Sequence, residues 1–373
     1  MNVAFDRHRL AALIRKEAAQ VLRDPAALLI SFVLPVVLLF LFAYAVSLDV
    51  RHVRIGVVLE SDGEPAQSLA AAFAGSRYFD VTPARDRREV QDQVVAGHLR
   101  GFVVIPQDFD RRIASRSGEP LIQIIADGSQ PNTSNFVSGY ANGVLAAWLA
   151  DRYPHLAPPI ALVPRFWFNP ELESRRFLVP AAIAIVMTMI GTLLTALVVA
   201  REWERGTMEA IMSTPAAILE IVLGKLAPYF ALGLTATLGC AALAVFAFDV
   251  PLRGSLFALL CLTGVFLIPA LGQGLLISTL AKNQFVASQV ALLSGFLPAF
   301  LLSGFLFEID TMPAIIRAVT YVIPARYFVA SLQTVFLAGD VWRLLLPNMA
   351  AMLGIGLFFF LVTARNTHKS LDT

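Results

Sequence analysis

The sequence predicts an α-helical polytopic membrane protein with six transmembrane helices and an extracytoplasmic α/β domain between helices one and two. Hydrophobic residues make up 57% of the 373-residue chain, and the mean hydropathy of +0.69 is far above that of an ordinary soluble domain. Six stretches are apolar enough to cross a bilayer. By contrast, residues 49–176 are polar and alternate between strand-like and helix-like patterns.

The six spans are identified by length, because a membrane-crossing helix needs about 20 predominantly apolar residues. They lie at roughly 28–48, 177–200, 226–248, 254–281, 285–306 and 344–363. A cleaved signal peptide is the alternative for the first, since Ala43-Tyr44-Ala45 fits a cleavage site. The run contains Pro35 and begins late for such a signal, so a retained span is the preferred interpretation.

Positive charges predict the orientation, because Lys and Arg accumulate in short cytoplasmic flanks. Eleven lie on the side of the two termini, namely Arg7, Arg9, Arg15, Lys16, Arg23, Arg201, Arg205, Lys225, Lys282, Arg365 and Lys369. Four lie opposite, namely Arg253, Arg317, Arg326 and Arg343. Both termini, including the tail 365–373, are therefore expected in the cytoplasm, with residues 49–176 outside.

The outer segment, residues 49–176, is predicted to form a compact α/β domain, because strand and helix patterns alternate along it. Strands are expected at 53–60, 78–82, 101–106 and 121–125, and helices at 65–75, 86–97, 107–116 and 133–151. Five prolines over 153–170 indicate a stiff connector back to the membrane. Within it, Trp167 is expected either at the headgroup level or packed under the domain.

Several classes of function are disfavoured by what the sequence lacks. No Asp, Glu, Lys, Arg or His falls inside the six apolar cores, which argues against ion-coupled carriers and enzymes embedded in the bilayer. The only Gly-Lys pair, Gly224-Lys225, lacks the rest of a phosphate-binding loop. A net charge of +2 gives no reason to expect nucleic acid as a partner. No histidine or cysteine pattern predicts a metal site.

A dense charged cluster, REWERGTMEAIMSTP at 201–215, follows the second span. On a helix, Arg201, Glu202, Arg205 and Glu209 fall on one side, and Arg205 can pair with Glu209. The pattern predicts an amphipathic helix along the membrane surface, with its charged side in the cytosol. It is either an interfacial anchor for the second span or a docking surface for a cytosolic partner.

The run Glu202-x-Glu204-x-Gly206-Thr207-x-Glu209, ending in Thr214-Pro215, resembles the cytoplasmic signature of type-2 ATP-binding-cassette (ABC-2) export permeases. In that family the corresponding loop is a coupling helix, here 201–213, that sits in a cleft of the ATPase subunit. The resemblance implies an ATPase contact through residues Glu202, Glu204, Arg205, Gly206, Thr207 and Glu209.

Two further segments resemble the same family. Residues 1–27, with Lys16-Glu17 and Arg23-Asp24-Pro25, resemble its amphipathic elbow helix. Asp24 is expected to cap the helix that Pro25 begins. Residues 307–343 resemble its outer re-entrant segment, with a helix near 313–322 broken by Pro324.

The resemblance implies the permease subunit of a drug-efflux-like exporter in the bacterial inner membrane, moving hydrophobic or amphipathic substrates. A separate cytosolic ATPase would bind ATP and Mg, and the chain itself would hold no cofactor. Expected partners are a second permease chain, identical or paralogous, membrane lipids and a periplasmic adaptor, but no nucleic acid. The alternative is a membrane-anchored sensor or assembly protein whose outer α/β domain binds a ligand or partner.

Overall fold

The computed structural model of the chain describes residues 5–44, 52–115, 120–128, 131–153, 173–207, 214 and 217–366. The chain divides into two compact units. The membrane unit consists of Met1–Ser47 and Phe166–Thr373, and the inserted unit consists of Leu48–Arg165. The connector predicted at 153–170, apart from its first residue, lies outside the described residues.

The membrane unit begins with α1 (Arg7–Leu22), which is followed at once by the first span helix, α2 (Pro25–Tyr44). Asp24 accepts hydrogen bonds from the N–H groups of the two alanines after Pro25, at 3.0 and 3.4 Å. Pro25 takes the first helical position, where no N–H is needed. The predicted cap at this junction is confirmed.

The inserted unit alternates four strands with four helices among its described residues. In chain order they are β1 (Val53–Leu59), α3 (Glu64–Ala74), β2 (Phe79–Ala84), α4 (Arg87–Val95), β3 (Gly101–Ile105), α5 (Phe109–Ser115), β4 (Gln123–Ala126) and α6 (Pro131–Arg152). The strand order is β2-β1-β3-β4, with β1 parallel to β2 and β3, and β4 antiparallel to β3. Each of these elements was predicted from the sequence, although individual ends differ by a few residues.

Helices cover both faces of this sheet. Phe73, Phe109 and Trp148 pack on one face, and Val90 and Phe102 pack on the other. The central strand β3 is buried along its whole length, which explains its uninterrupted apolar sequence.

The chain then returns to the membrane unit. Its elements are α7 (Ser174–Glu204), α8 (Ile218–Phe246), α9 (Leu256–Ala281), α10 (Gln284–Leu302), α11 (Ala314–Thr320), α12 (Pro324–Leu337) and α13 (Trp342–Asn366). Six helices among the described residues, α2, α7, α8, α9, α10 and α13, are long and apolar enough to cross a membrane, as predicted. The pair α11 and α12 is bent by 80°, and the break lies just before Pro324, where the sequence predicts it.

The helix α7 lies at the centre of the membrane unit and packs against α2, α8, α9, α10 and α12. It approaches α9 closely: a Cβ added to Gly191 would lie 2.9 Å from the Ala270 methyl group. Near the other end of this contact, the Ser278 hydroxyl accepts the N–H groups of Val199 and Ala200, both at 2.9 Å. These contacts fix α7 and α9 as one packed pair.

Two span boundaries differ from the prediction. The helix α7 does not end at residue 200; it continues to Glu204, because no helix-breaking residue occurs before Gly206, whose φ of +68° ends it. The helix α8 begins at Ile218 and not at 226, so it includes Glu220 and Lys225. The span helices therefore carry ionisable residues at one end of the bundle, outside the apolar cores. Residues 208–213 of the predicted coupling helix lie outside the described residues.

Candidate functional site

Four charged side chains from α1, α7 and α8 meet at this end of the bundle. They are called the ion cluster here: Lys16, Glu17, Glu202 and Lys225. The Lys225 Nζ lies 3.1 Å from both Glu17 Oε1 and Glu202 Oε1. The Lys16 Nζ lies 2.9 Å from Glu17 Oε1 and 3.2 Å from Glu202 Oε1. Each ammonium group bridges both carboxylates, so the charges of the four groups balance.

The ion cluster is largely removed from solvent. Glu17, Glu202 and Lys225 are exposed by only 3%, 5% and 3%, whereas Lys16 is half exposed. Charges at such depth are tolerated only when they are paired and hydrogen-bonded. Burial alone would lower the pKa of Lys16, but the Glu17 hydrogen bond and the charges of Glu17 and Glu202 raise it. Thr207 adds a hydroxyl hydrogen bond to Glu202 Oε2.

The helix α1 is fastened to α8 at two further points. Glu220 of α8 is fully buried, and its Oε1 accepts the backbone N–H of Asp6 at 2.5 Å and the Arg9 guanidinium at 3.2 Å. Gly224 lies against α1, since a Cβ there would be 2.8 Å from Leu13 Cβ. The helix that precedes the first span is therefore packed on the third span.

An ion pair joins α2 to α7. The Arg201 Nη1 donates to Asp24 Oδ2 at 2.5 Å, and this is the same Asp24 that caps α2. Partial burial would raise the pKa of Asp24, but the Arg201 hydrogen bond and charge outweigh it and hold the pKa below its usual value.

The last turn of α7 also contacts the start of α10. Glu204 Oε1 accepts the Gln284 backbone N–H at 2.8 Å, and its Oε2 accepts from the Gln284 side chain. The Lys282 ammonium lies 4.9 Å from the centre of the Trp203 ring, within the range of a cation–π contact. The end of α7 is thus held by α1, α2, α8 and α10 together.

The structure separates the predicted coupling residues into two groups. Glu202 was expected on a solvent-facing side; it is buried, because Lys16 and Lys225 lie on either side of its carboxylate. Glu204, Arg205, Gly206 and Thr207 are exposed, and Glu209 lies outside the described residues. The expected separate helix from 201 is also wrong for 201–204, which are the last turn of α7.

The predicted elbow residues fall on α1 and on its junction with α2. Lys16 and Glu17 belong to the ion cluster, and Arg23 is exposed. Asp24 and Pro25 start α2.

Sequence reasoning counted Lys225 only as a flanking positive charge and did not single out Glu220. The available signal was that both lie on a helical pattern continuous with the third span, where an ionisable group needs a partner. Among the described residues, no group of three His, Cys, Asp or Glu side chains is arranged to hold a metal ion. The arrangement is suited to joining helices mechanically, with an exposed charged and polar edge that begins at Glu204.

Comparisons with known proteins agree in identifying the chain. Residues 25–365 match the family described as ABC-2 family transporter protein. The chain is 46% identical over 375 residues to the Escherichia coli K12 protein named "Probable multidrug ABC transporter permease YbhS", covering 100% of both. It is 30% identical over 351 residues to "Probable multidrug ABC transporter permease YbhR" of the same strain, covering 91% of this chain and 94% of that one.

A more distant relative is the E. coli K12 protein named "Inner membrane transport permease YhhJ". It is 25% identical over 286 residues, covering 74% of this chain and 75% of that one. With the family match over most of its length and six apolar helices in the structure, this chain is a multi-pass membrane protein that belongs to the ABC-2 family of ABC transporter permeases.

Proposed function

We propose that the chain is the permease subunit of an exporter driven by a separate cytosolic ATPase, which binds ATP and Mg. The observation that carries this proposal is the packing of α1, α2, α8 and α10 around the last turn of α7, which is called the joint here. An exposed edge, from Glu204 to Thr207, directly follows the buried ion cluster. A protein that pushes on this edge acts on α1, α7 and α8 at once.

The mechanism follows from these contacts. Because Lys225 bridges Glu17 and Glu202, α1, α7 and α8 cannot separate there without leaving a buried charge unpaired. Closure of the ATPase pair would displace the segment 202–212 together with α1. That displacement would open a pathway between two permease chains.

The proposed orientation places this joint in the cytoplasm. It is supported by the excess of Lys and Arg in the flanks on the side of the two termini. The inserted unit then lies outside the cytoplasm, where it is available to a periplasmic adaptor. The proposed membrane is the bacterial inner membrane, in keeping with the name of YhhJ as an inner membrane permease.

The proposed cargo is hydrophobic or amphipathic and drug-like. Apolar span cores without Asp, Glu, Lys, Arg or His suit such molecules, and the names of YbhS and YbhR describe those proteins as multidrug permeases. The second permease chain is either another copy of this one or a paralogue.

The proposed ATPase contact is tested by reversing the charge of Glu204, in the exposed edge, and of Glu209, the last of the predicted coupling residues. In reconstituted complexes with the ATPase that co-purifies with the chain, Glu204→Lys and Glu209→Lys are expected to insert normally but to lose substrate-stimulated ATP hydrolysis. The matched control is Glu308→Lys, an exposed residue beyond the opposite end of α10. Equal stimulation in all three variants and the wild type would remove the assignment.

The orientation is tested separately. A single cysteine at position 204, in a variant without Cys240 and Cys261, should react with a membrane-impermeant maleimide only after the cells are opened. Labelling in intact cells would overturn the cytoplasmic placement of the joint.

A further inference from the structure

A polar cleft of about 470 Å³ opens at the charged end of the bundle, where α1, α2, α7 and α10 meet. Its lining is Gln20, Arg23, Asp24, Pro25, Arg201, Arg205 and Gln284. None of the four side chains of the ion cluster lines it. The cleft is therefore a separate feature of this end of the molecule.

The cleft carries an excess of positive charge. Three arginines line it against a single carboxylate, Asp24, which pairs with Arg201. Within the part of the chain that the structure describes, Arg23 and Arg205 have no carboxylate within salt-bridge distance. Two guanidinium groups thus line one cavity with no carboxylate of the described residues paired to them, and the planar fork of guanidinium donors matches the oxygens of a phosphate group.

Three span helices begin or end at the cleft, and these helix ends indicate its depth in the membrane. The helix α2 begins at Pro25, α7 ends at Glu204 and α10 begins at Gln284. Large apolar side chains next to the cleft are exposed, with Leu22 at 69% and Phe285 at 72%. A bilayer spanned by these helices would place the arginines where the hydrocarbon region gives way to headgroups, and basic pockets between span ends bind anionic lipid headgroups.

We propose that this cleft binds the phosphate of an anionic phospholipid headgroup. Arg23 and Arg205 contact the phosphate oxygens, while Arg201 stays with Asp24. The acyl chains run along the exposed apolar surface that Leu22 and Phe285 begin. The bound lipid then joins the end of α1 to the end of α7. The proposal needs only that the spans cross a membrane, and it does not depend on the ATPase or on transport. It assigns Arg205 to the lipid and leaves Glu204 and Glu209 as the ATPase contacts.

The test measures lipid binding to the purified full-length chain without any ATPase. Phosphatidylglycerol and phosphatidylcholine are titrated in mixed micelles, and the bound lipid is counted by native mass spectrometry. Arg23→Gln and Arg205→Gln are each expected to weaken phosphatidylglycerol binding roughly fivefold, with little effect on phosphatidylcholine. Arg23→Lys, which keeps the charge but loses the guanidinium fork, should bind phosphatidylglycerol more tightly than Arg23→Gln and less tightly than the wild type. Arg15→Gln is the matched control, since Arg15 is an exposed arginine of α1 that does not line the cleft.

Other results would overturn the proposal. Unchanged phosphatidylglycerol binding in both Arg23→Gln and Arg205→Gln removes the site, and an equal loss in Arg15→Gln shows only diffuse attraction to positive charge. Displacement of the lipid by equimolar inorganic phosphate indicates a site for free anions. In a separate purification with the ATPase, loss of its co-purification in Arg23→Gln, with lipid binding intact, assigns the cleft to an acidic segment of a protein partner. If Arg23→Gln does not fold, Arg205→Gln and Arg23→Lys decide the question.

Discussion

Removal of the Lys225 ammonium group is the sharpest perturbation of the joint at the end of α7. In Lys225→Met the two buried carboxylates keep only Lys16 between them, so one negative charge is left uncompensated. Breaking a buried ion pair by removing one partner costs about 3–5 kcal/mol. We expect the free energy of unfolding of Lys225→Met to be about 3 kcal/mol lower than that of the wild type. This is the lower end of the range, because Lys16 remains 2.9 Å from Glu17 and 3.2 Å from Glu202.

Lys16→Met is the matched control. It also leaves the two carboxylates with one ammonium group, but the vacated position is half exposed, so water can solvate the uncompensated charge there. Its expected cost is about 1 kcal/mol or less. Unfolding of the purified proteins is followed by helical circular dichroism during titration with sodium dodecyl sulfate in mixed micelles.

A double variant sharpens the test. Lys225→Met with Glu202→Gln restores the charge balance between Lys16 and Glu17, so its cost should be clearly less than the sum of the two single costs. If Lys225→Met costs no more than Lys16→Met, or if the two single costs simply add, the buried network does not hold the three helices together.

Two further perturbations test other contacts of the bundle. Asp24→Asn keeps the capping oxygen but removes the charge that pairs with Arg201, and should cost about 1–2 kcal/mol at neutral pH. Since the folded pKa of Asp24 is lowered, the wild-type contribution is complete above the unfolded value of about 3.8 and is lost as the pH falls through the lower folded pKa. The cost of Asp24→Asn, measured as the difference in thermal midpoint, should therefore vanish at low pH; a difference that persists there would contradict the ion pair. Gly274→Ala would place a methyl group on the Thr195 side chain and should cost about 1–3 kcal/mol, whereas Gly354→Ala, with open space around it, should be neutral or stabilising; equal thermal midpoints for the two variants would contradict close packing of α7 on α9.

Local patterns in the sequence predicted most of the fold. Apolar length located six spans, and alternation of hydrophobic residues located the strands of the inserted unit. Short-range chemistry placed the cap at Asp24 and the break before Pro324. Each of these features depends on residues a few positions apart, so one sequence contains enough information to predict it.

The ion cluster was not predictable in this way. Lys225 and Glu17 are separated by 208 residues, and Lys16 and Glu202 by 186. The neighbouring sequence does not distinguish a charged residue in the terminal turn of a span helix from one in the adjoining loop. Glu202 therefore looked like a surface residue, although the packing of α1 and α8 buries it.

The envelopment of α7 by five other helices has a mechanical consequence. From Pro180 to Glu204 the helix rises roughly 36 Å at 1.5 Å per residue, and most of its side chains along that length are buried. A helix packed against five neighbours cannot bend locally without opening voids in a close-packed interior. Force applied at the Glu204 end of α7 would therefore be transmitted along the whole helix, and the neighbouring helices would have to slide or tilt with it.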